Sequence, residues 1–147
     1  MADEMKKVYK RTEGILPGKV SGFCPGCMHS TVHKIIGEAA EELGVIDKLV
    51  RVEGVGCCGL GQMYVSSDMI LAAHGRAGAV ATGVKRSTPD SLVYTYQGDG
   101  DLAAIGLGET ISAANRGENF TVIFVNNGIY GMTGGQKSPT TPVGART

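Results

Sequence analysis

Apolar and polar positions along the chain predict strands and helices in alternation. Two apolar, β-favouring runs, residues 92–96 and 120–125, are each followed by a polar loop, and residues 102–116 between them have the length and composition of a helix. This order predicts a strand–helix–strand unit. Because the crossover in such a unit is right-handed, we expect two parallel strands whose carboxyl ends lie at the same edge of a sheet.

A first helix is predicted between Ser30 and Gly44. Ser30 and Thr31 are the predicted N-terminal caps, and Gly44 is the predicted end of the helix. The apolar positions that recur with helical spacing are Val32, Ile35, Ile36, Ala39, Ala40 and Leu43. This segment therefore has one face suited to packing on a sheet.

Two shorter elements follow the first helix. Residues 48–54 predict a strand, and residues 77–86 predict a short helix that Pro89 prevents from extending far. The small side chains of this second helix favour close packing against a flat surface. Residues 62–74 show no clear periodicity. The whole pattern favours an α/β fold, a parallel sheet with helices on both faces.

Composition limits both the size and the partners of the protein. With 147 residues, 42% of them hydrophobic, we expect one domain, residues 21–147, preceded by a polar arm, residues 1–20, that is extended or covers a neighbouring surface. Fourteen basic and fourteen acidic residues give a formal net charge of zero, which argues against a nucleic-acid surface. The chain has no signal-like start and no membrane-spanning apolar run, so we expect a soluble, cytoplasmic protein.

Polar residues at two strand ends predict a metal site for a diphosphate. Asp99 follows the first apolar run, and Asn127 follows the second. Two hard oxygen ligands, completed by a backbone carbonyl and by phosphate oxygens, suit octahedral Mg²⁺. Each motif alone is more often a tight turn, but their pairing across one strand–helix–strand unit favours the metal. Because the chain has no basic run, phosphate binding must come from a metal and backbone amides.

The cysteines form a second candidate site. Cys24 and Cys27 lie close enough in sequence to bind one ion or one cluster. With Cys57 and Cys58 they could form a four-cysteine zinc site. Neighbouring side chains on an extended backbone point to opposite faces, however, so we expect only one of Cys57 and Cys58 to bind together with Cys24 and Cys27. A thioredoxin-like redox pair is a third reading, but that motif normally follows a strand, and a polar arm precedes this one.

Six segments together give the chain a resemblance to a known family. They are residues 23–27, 54–57, 74–77, 81–85, 96–101 and 126–136. In these segments the chain resembles the thiamine-diphosphate-binding, β-type subunit of 2-oxoacid:ferredoxin oxidoreductases, most of all the 2-ketoisovalerate type. The order and spacing of the segments make the resemblance specific, and it spans nearly everything after residue 20.

The resemblance implies a role for each motif. Asp99, the Asn127 side chain and the Ile129 backbone oxygen would hold Mg²⁺. The residues expected around the cofactor are Gly56, Cys58, His74, Gly98, Gly100, Asp101, Gly131, Met132 and Thr133. Those expected to bind a 4Fe-4S cluster are Cys24, Cys27 and Cys57. Relatives supply a fourth cluster cysteine further along, so we expect the chain to be a fragment that binds a cluster poorly on its own.

The resemblance also implies a reaction and partners. It implies coenzyme A-dependent oxidative decarboxylation of a 2-oxoacid, with electrons passing through the cluster to ferredoxin. Pyruvate, 2-oxoglutarate and branched-chain acids are the candidate substrates, and we favour the branched-chain class. A partner subunit would supply the activating glutamate, so Glu109 is expected to be an ordinary helix residue. We expect His29 and His33 to serve packing or solvent contacts. The alternative is a non-catalytic, zinc-binding structural module.

Overall fold

The computed structural model describes residues 8–147 and is built around a four-stranded parallel sheet. Its strands are β1 (Leu49–Glu53), β2 (Asp68–Leu71), β3 (Leu92–Gly98) and β4 (Thr121–Val125). They lie side by side in the order β2-β1-β3-β4, and every neighbouring pair is parallel. The carboxyl ends of β3 and β4 therefore meet at one edge of the sheet, as the sequence predicts.

Three helices cover the sheet: α1 (Met28–Glu42), α2 (Ala77–Ser87) and α3 (Leu107–Asn115). On one face, Ala40 of α1 packs in a cluster with Tyr94 and Tyr96 of β3. The opposite face is covered by α2, and α3 packs beside α2. The predicted architecture, a parallel sheet with helices on both faces, is confirmed.

Small side chains let α2 approach the sheet closely. Ala77 and Ala81 are completely buried and pack with Val52 of β1 and Val93 of β3. A larger side chain at either alanine would push the helix away from this flat surface. The composition of the predicted second helix thus has a packing reason. Among residues 8–147, the structure contains no helix that is both long enough and apolar enough to cross a membrane.

The start of α1 differs from the prediction. The helix begins at Met28, with Cys27 at the N-cap position, and Ser30 and Thr31 lie inside it. The reason is a tight turn before the helix, in which the Cys27 amide donates to the Cys24 carbonyl at 3.0 Å and Gly26 has a φ of +77°. The predicted caps are therefore wrong, and the cysteine motif itself starts the helix.

The segment after β3 is not one continuous helix. A π-helical turn, Gly100–Ile105, comes first, and α3 begins only at Leu107. In the turn the Gly106 amide donates to the Asp101 carbonyl at 2.8 Å, which closes the wider ring that defines a π-helix. The prediction of a helix over residues 102–116 is correct for its second part only. This wide turn places residues 99–101 at the edge of the sheet.

Two short elements follow β4 and form an antiparallel hairpin. They are β5 (Ile129–Tyr130) and β6 (Gln136–Lys137). The hairpin carries a glycine-containing loop, residues 131–135, next to the carboxyl ends of the central strands. Residues 138–141 then fold back toward the end of β3.

The N-terminal segment packs on its own chain where the structure describes it. Ile15 is buried and forms an isolated bridge with Val65, and the Leu16 amide donates to the Tyr64 carbonyl at 2.9 Å. The predicted domain boundary near residue 20 stays a prediction, and the first seven residues of the predicted arm lie outside the described residues.

Candidate functional site

A cleft opens at the carboxyl ends of β1, β3 and β4, where ligands commonly bind in parallel α/β sheets. Its walls come from the loops after these three strands, from the hairpin and from the loop before α2. The lining residues are His29, Val55, Gly56, Cys57, Cys58, His74, Gly98, Asp99, Gly100, Asp101, Val125, Asn127, Ile129, Tyr130, Gly131, Met132 and Thr133. Every predicted magnesium or cofactor residue and Cys57 lie in this set, whereas Cys24 and Cys27 do not.

Asp99 lies at the end of β3 and is held by hydrogen bonds from its own chain. It is 1% exposed; its Oδ1 accepts from the Gly100 amide at 2.9 Å, and its Oδ2 accepts from the hydroxyls of Ser138 and Thr140. Burial acts to raise the pKa of Asp99, but these hydrogen bonds outweigh it, and the pKa is lowered from its ordinary value. Asp99 is therefore a carboxylate that is already oriented.

Sequence reasoning missed Ser138 and Thr140. The local sequence signal is a group of hydroxyl residues after the hairpin, and nothing in it indicates a contact with Asp99. Asp99 lies 39 positions before Ser138 and 41 positions before Thr140. The structure makes this connection because residues 138–141 fold back over the end of β3. Thr141 stabilises this folded-back segment, since its hydroxyl donates to the Gly128 carbonyl at 2.6 Å.

Asn127 and Ile129 approach the cleft from the loop after β4. The Asn127 Oδ1 accepts from the Ile129 amide at 3.4 Å, and Gly128 between them has a φ of +72°, which bends the loop. Asp99, Asn127 and Ile129 all line the cleft, and the carboxylate, side-chain amide and backbone carbonyl oxygens that they carry are hard donors of the kind that Mg²⁺ prefers. The donor set fits the predicted metal.

The charge of the cleft supports the same conclusion. The described lining residues include no lysine or arginine, and Asp99 and Asp101 are both acidic. A diphosphate is strongly anionic, so these walls would repel it unless a cation lies between them. A phosphate ligand in this cleft requires a bound metal and the backbone amides of its glycine-rich loops.

Gly100 is needed because Tyr130 lies against it. The Tyr130 hydroxyl donates to the Gly100 carbonyl at 3.2 Å, and a Cβ atom at position 100 would lie 2.1 Å from the tyrosine ring. No other residue type fits at this distance without moving the hairpin. Tyr130, Val55 and Val125 are apolar walls of the cleft that sequence reasoning did not single out.

Asp101 is also buried, but its carboxylate faces the protein. It accepts from the amides of Val55 and Gly75 and from the side chain of Gln97, and it contacts His74. The expected place of Asp101 around the phosphates stays a prediction, and Asp101 does line the cleft. Its carboxylate joins the loops after β1 and before α2 to the end of β3.

Three of the cysteines lie near one another beside the same cleft. Cys24 and Cys27 bracket the tight turn before α1, and Cys57 begins a short 3-10 helix, Cys57–Met63. Burial, together with the nearby sulfurs of Cys27 and Cys24, raises the pKa of the Cys57 thiol. The three sulfurs are therefore neighbours. Cys57 lines the cleft, and Cys24 is exposed.

Cys58 points away from the other three cysteines. It is 3% exposed, and its sulfur donates to the Gly54 carbonyl at 3.2 Å. Burial, with the nearby charges of Asp101 and Glu53, raises the pKa of Cys58 to about 12. It therefore stays a neutral thiol, in contrast to the thiolate form in which cysteine binds metals.

No four-cysteine zinc site is formed. Within the part of the chain that the structure describes, no three histidine, cysteine, aspartate or glutamate side chains converge so that they could hold one metal ion. An iron–sulfur cluster differs, because its thiolates bind separate iron atoms and need not converge on a point. The zinc alternative therefore lacks a geometric basis, and the cluster assignment stays a prediction.

His29 and His33 lie between the cysteines and the sheet. His33 is completely buried with its ring 4.3 Å from that of Tyr96, so it serves packing. Burial, followed by the charges of Arg51 and His29, lowers the pKa of His33 to about 3. His29 shares a 2.7 Å hydrogen bond with the Tyr96 hydroxyl and lines the cleft, a position that sequence reasoning missed.

Glu109 lies outside the cleft. It is on α3, and its Oε1 lies 2.8 Å from Arg76 NH1 in an ion pair. Its place agrees with the expectation of an ordinary helix residue. The cleft-lining acids of the described chain are Asp99 and Asp101, and both are engaged in hydrogen bonds.

The chain is similar to known proteins over most of its length. The chain is 50% identical over 145 residues to the ketoisovalerate oxidoreductase subunit VorA of Methanothermobacter thermautotrophicus, covering 99% of this chain and 30% of that protein. It is 45% identical over 125 residues to the 2-oxoglutarate synthase subunit KorB of Methanocaldococcus jannaschii, covering 84% of this chain and 46% of that protein. The chain thus spans less than half the length of these relatives.

A solved structure shows the same fold. The chain matches the 2-oxoglutarate:ferredoxin oxidoreductase from Magnetococcus marinus, with 2-oxoglutarate, coenzyme A and succinyl-CoA bound, at a TM-score of 0.78 and 39% identity. The match covers 83% of this chain and 42% of that one. The predicted resemblance to subunits of 2-oxoacid:ferredoxin oxidoreductases is confirmed. Residues 54–147 also match the family model of the thiamine pyrophosphate enzyme C-terminal TPP binding domain, and by this match the chain belongs to that family.

Proposed function

We propose that this chain is the thiamine-diphosphate-binding part of a 2-oxoacid:ferredoxin oxidoreductase subunit. The observation that carries this proposal is the cleft itself, where the Asp99 carboxylate, the Asn127–Ile129 loop and Cys57 meet at the carboxyl edge of one sheet. A candidate metal site and a cysteine that line one cleft suit a two-cofactor reaction. A zinc-binding structural module would not need the Asp99 and Asn127 oxygens in the same cleft as a cysteine.

The metal is proposed to be Mg²⁺, held by the Asp99 carboxylate, the Asn127 side chain and the Ile129 carbonyl. Phosphate oxygens of the cofactor complete its coordination. The glycine-rich walls leave room for the diphosphate, with Gly98, Gly100, Gly131, Met132 and Thr133 around it. Because the walls carry no lysine or arginine, the metal supplies the positive charge that the diphosphate needs.

Cys24, Cys27 and Cys57 are proposed to bind a 4Fe-4S cluster. If both groups were bound, thiamine diphosphate would supply the decarboxylation chemistry and the cluster would supply an electron acceptor beside it. The chain contributes three neighbouring sulfurs, one of them in the cleft wall. The fourth ligand must come from outside this set, because Cys58 is buried and bonded to the Gly54 carbonyl.

The complete protein is proposed to decarboxylate a 2-oxoacid oxidatively, transferring the acyl group to coenzyme A and the electrons to ferredoxin. The names of the relatives and the ligands of the solved structure support this reaction class. A branched-chain substrate is favoured because the ketoisovalerate relative is 50% identical over 99% of the chain, compared with 45% over 84% for the 2-oxoglutarate relative. Other subunits, one of which supplies the activating glutamate, are the proposed partners.

Titration calorimetry with thiamine diphosphate, with and without Mg²⁺, tests the core of the proposal. The chain should bind the cofactor only with the metal, and Asp99→Asn should weaken binding at least about 100-fold, or about 2.7 kcal/mol, because the metal loses its one carboxylate ligand. Asparagine keeps the size of the side chain and an oxygen for its neighbours, so the fold should persist.

Asp90→Asn is the matched control. Asp90 is an exposed turn residue before β3, outside the cleft, and the same substitution there should leave binding unchanged. Equal affinities of the Asp99→Asn protein and the unmodified chain would refute the metal assignment. Binding without Mg²⁺ would refute the argument that the cleft needs a cation.

A further inference from the structure

Four segments of the chain meet at the carboxylate of Asp101. Its Oδ1 accepts from the Val55 amide at 3.1 Å and from the Gly75 amide at 2.9 Å, and its Oδ2 accepts from Gln97 Nε2 at 2.5 Å. The Nδ1 atom of His74 lies 2.5 Å from the same Oδ1. The loops after β1 and before α2 are thereby joined to the end of β3.

This carboxylate is buried at the edge of the cleft. Asp101 is 2% exposed, and a Cβ atom at Gly54 would lie 2.2 Å from its Oδ2. Groups of the chain surround both of its oxygens, and His74 is the cleft-lining side chain among them. The contacts indicate that Asp101 acts on another residue of the cleft.

The contacts of Oδ1 determine which nitrogen of His74 carries the proton. Oδ1 already accepts from two backbone amides, which can only donate, so it acts as an acceptor toward Nδ1 as well. Nδ1 must then be the protonated nitrogen. In a neutral imidazole the other nitrogen, Nε2, keeps its lone pair and is an acceptor.

His74 also faces the cleft. Its side chain is one-third exposed, it lines the cleft, and its ring makes an edge contact with Tyr130, with 6.4 Å between ring centroids. Because Nδ1 is occupied by the buried carboxylate, Nε2 is the nitrogen left for a ligand. We propose that Asp101 is a positioning residue that keeps the His74 proton on Nδ1 and so presents Nε2 to the cleft as an acceptor for an N–H or O–H group of the bound ligand.

The identity of that ligand rests on the proposed function, but the tautomer does not. Without Asp101, the partly exposed imidazole could adopt either tautomer, and one of the two would present an N–H donor to the cleft. The buried carboxylate thus determines that His74 presents an acceptor, and not a donor, to the cleft.

Nitrogen-15 NMR of the unliganded full chain reads the tautomer directly. The sequence has only three histidines, and His74→Asn identifies the His74 signals by their absence. At pH 8 the spectrum should show a proton on Nδ1 and none on Nε2. A proton on Nε2, alone or together with Nδ1, would overturn the inference.

Asp101→Ala tests the positioning role. If this variant folds, as checked by circular dichroism, the His74 signals should show a mixture of tautomers. An unchanged Nδ1–H tautomer in the folded variant would refute the role of Asp101. If the variant does not fold, the NMR spectrum of the unmodified chain and the two variants His74→Asn and His74→Leu still test whether Nδ1 carries the proton and whether Nε2 accepts from the ligand.

Two His74 variants separate the contact with Asp101 from the contact with the ligand. In His74→Asn the amide nitrogen lies near the position of Nδ1, so it can still donate to Asp101 while the acceptor in the cleft is lost. In His74→Leu both contacts are lost. We expect the asparagine variant to keep the melting temperature of the unmodified chain and to bind Mg²⁺-thiamine diphosphate about ten-fold more weakly, the effect of one hydrogen bond. The leucine variant should have a lower melting temperature than the unmodified chain and should also bind Mg²⁺-thiamine diphosphate more weakly.

Adding Mg²⁺ and thiamine diphosphate completes the test. We expect the Nε2 signal of His74 to move when its lone pair accepts a hydrogen bond. If the cofactor binds, and neither this signal nor the affinity of His74→Asn changes, the acceptor role is refuted while the proposed function stands. If the unmodified chain does not bind the cofactor, the proposed function fails, and with it the ligand contact, whereas the Asp101–His74 tautomer is still measured.

Discussion

The two walls of the cleft differ in how much of their order is built into this chain. The metal side comprises Asp99, Asn127, Ile129, Ser138 and Thr140, and buried hydrogen bonds orient its carboxylate before any metal binds. The cysteine side comprises Cys24, Cys27 and Cys57, the last of which has a raised pKa while the first is exposed. The metal side is preorganised, and the cysteine side is not.

The difference follows from the hydrogen bonds that each side makes without a ligand. A single carboxylate can be satisfied by a few hydroxyl and amide donors, so it can be held ionised in a folded chain. On the cysteine side, burial and the neighbouring sulfurs raise the pKa of Cys57, so the fold does not favour its thiolate, the form that would bind the proposed cluster. The metal side should therefore bind its ligand in the isolated chain, whereas the cysteine side should need further help.

The largest expected effect separates the two adjacent cysteines. We expect the isolated chain to take up iron and sulfide poorly, and better when a small thiol supplies a fourth ligand under anaerobic conditions. In that medium, Cys57→Ser should reduce bound iron and visible absorbance to the level of a protein-free control, because one of the three chain ligands is lost.

Cys58→Ser is the matched control for this experiment. A serine hydroxyl can still donate to the Gly54 carbonyl, and Cys58 is not among the neighbouring sulfurs, so iron uptake should match that of the unmodified chain. Equal losses in both variants would show that the two cysteines have been assigned to the wrong sites. Stoichiometric zinc in place of iron would revive the structural-module alternative.

A smaller effect is expected from the hydroxyls that hold Asp99. The double variant Ser138→Ala/Thr140→Ala should weaken Mg²⁺-dependent binding of thiamine diphosphate by about 10- to 100-fold, the usual range for partners that orient a metal ligand. The ligand itself stays in place, so the loss should be smaller than that of Asp99→Asn. Titration calorimetry measures both.

Ser112→Ala, an exposed position on α3, controls for the loss of a hydroxyl. It should leave the affinity unchanged. Iron uptake by the cysteine side should also be unchanged in the double variant, because the two walls are held by different segments. An unaltered affinity in the double variant would mean that the metal side is not preorganised by these hydroxyls.

The smallest effect concerns the packing beneath the cysteine side. The pKa of His33 is about 3 in the folded chain, below its ordinary value of 6.5. Between pH 3 and pH 6.5 this histidine is therefore protonated in the unfolded chain and neutral in the folded chain. The free energy of unfolding should therefore fall as the pH falls from about 6.5 toward 3, by up to about 1.4 kcal/mol per pH unit from this residue.

His33→Phe should remove this part of the pH dependence. Denaturant unfolding at several pH values measures it, and the slope is compared rather than the absolute stability, since phenylalanine also changes the packing against Tyr96. Other groups, such as buried Glu53, are present in both proteins, so their titration cancels in the difference. Identical slopes would mean that His33 is not held neutral by the fold.

Much of the metal side could be predicted because its signals are local. The apolar runs of β3 and β4 end at Asp99 and before Asn127, and the handedness of the crossover brings these ends together. The edge strand β2 was missed, because Asp68–Leu71 is four residues long, mostly exposed and paired only with β1. Its conformation depends on the partner strand more than on its own pattern.

The sequence by itself determined the α/β fold and the strand ends that carry the oxygen ligands. Both depend on residues close together in the chain. Only the tertiary structure decided that Ser138 and Thr140 hold Asp99, that Asp101 contacts His74, and that the sulfur of Cys58 is bonded to the Gly54 carbonyl. These contacts join residues that are distant in sequence or differ only in direction, and packing alone determines which side chains meet.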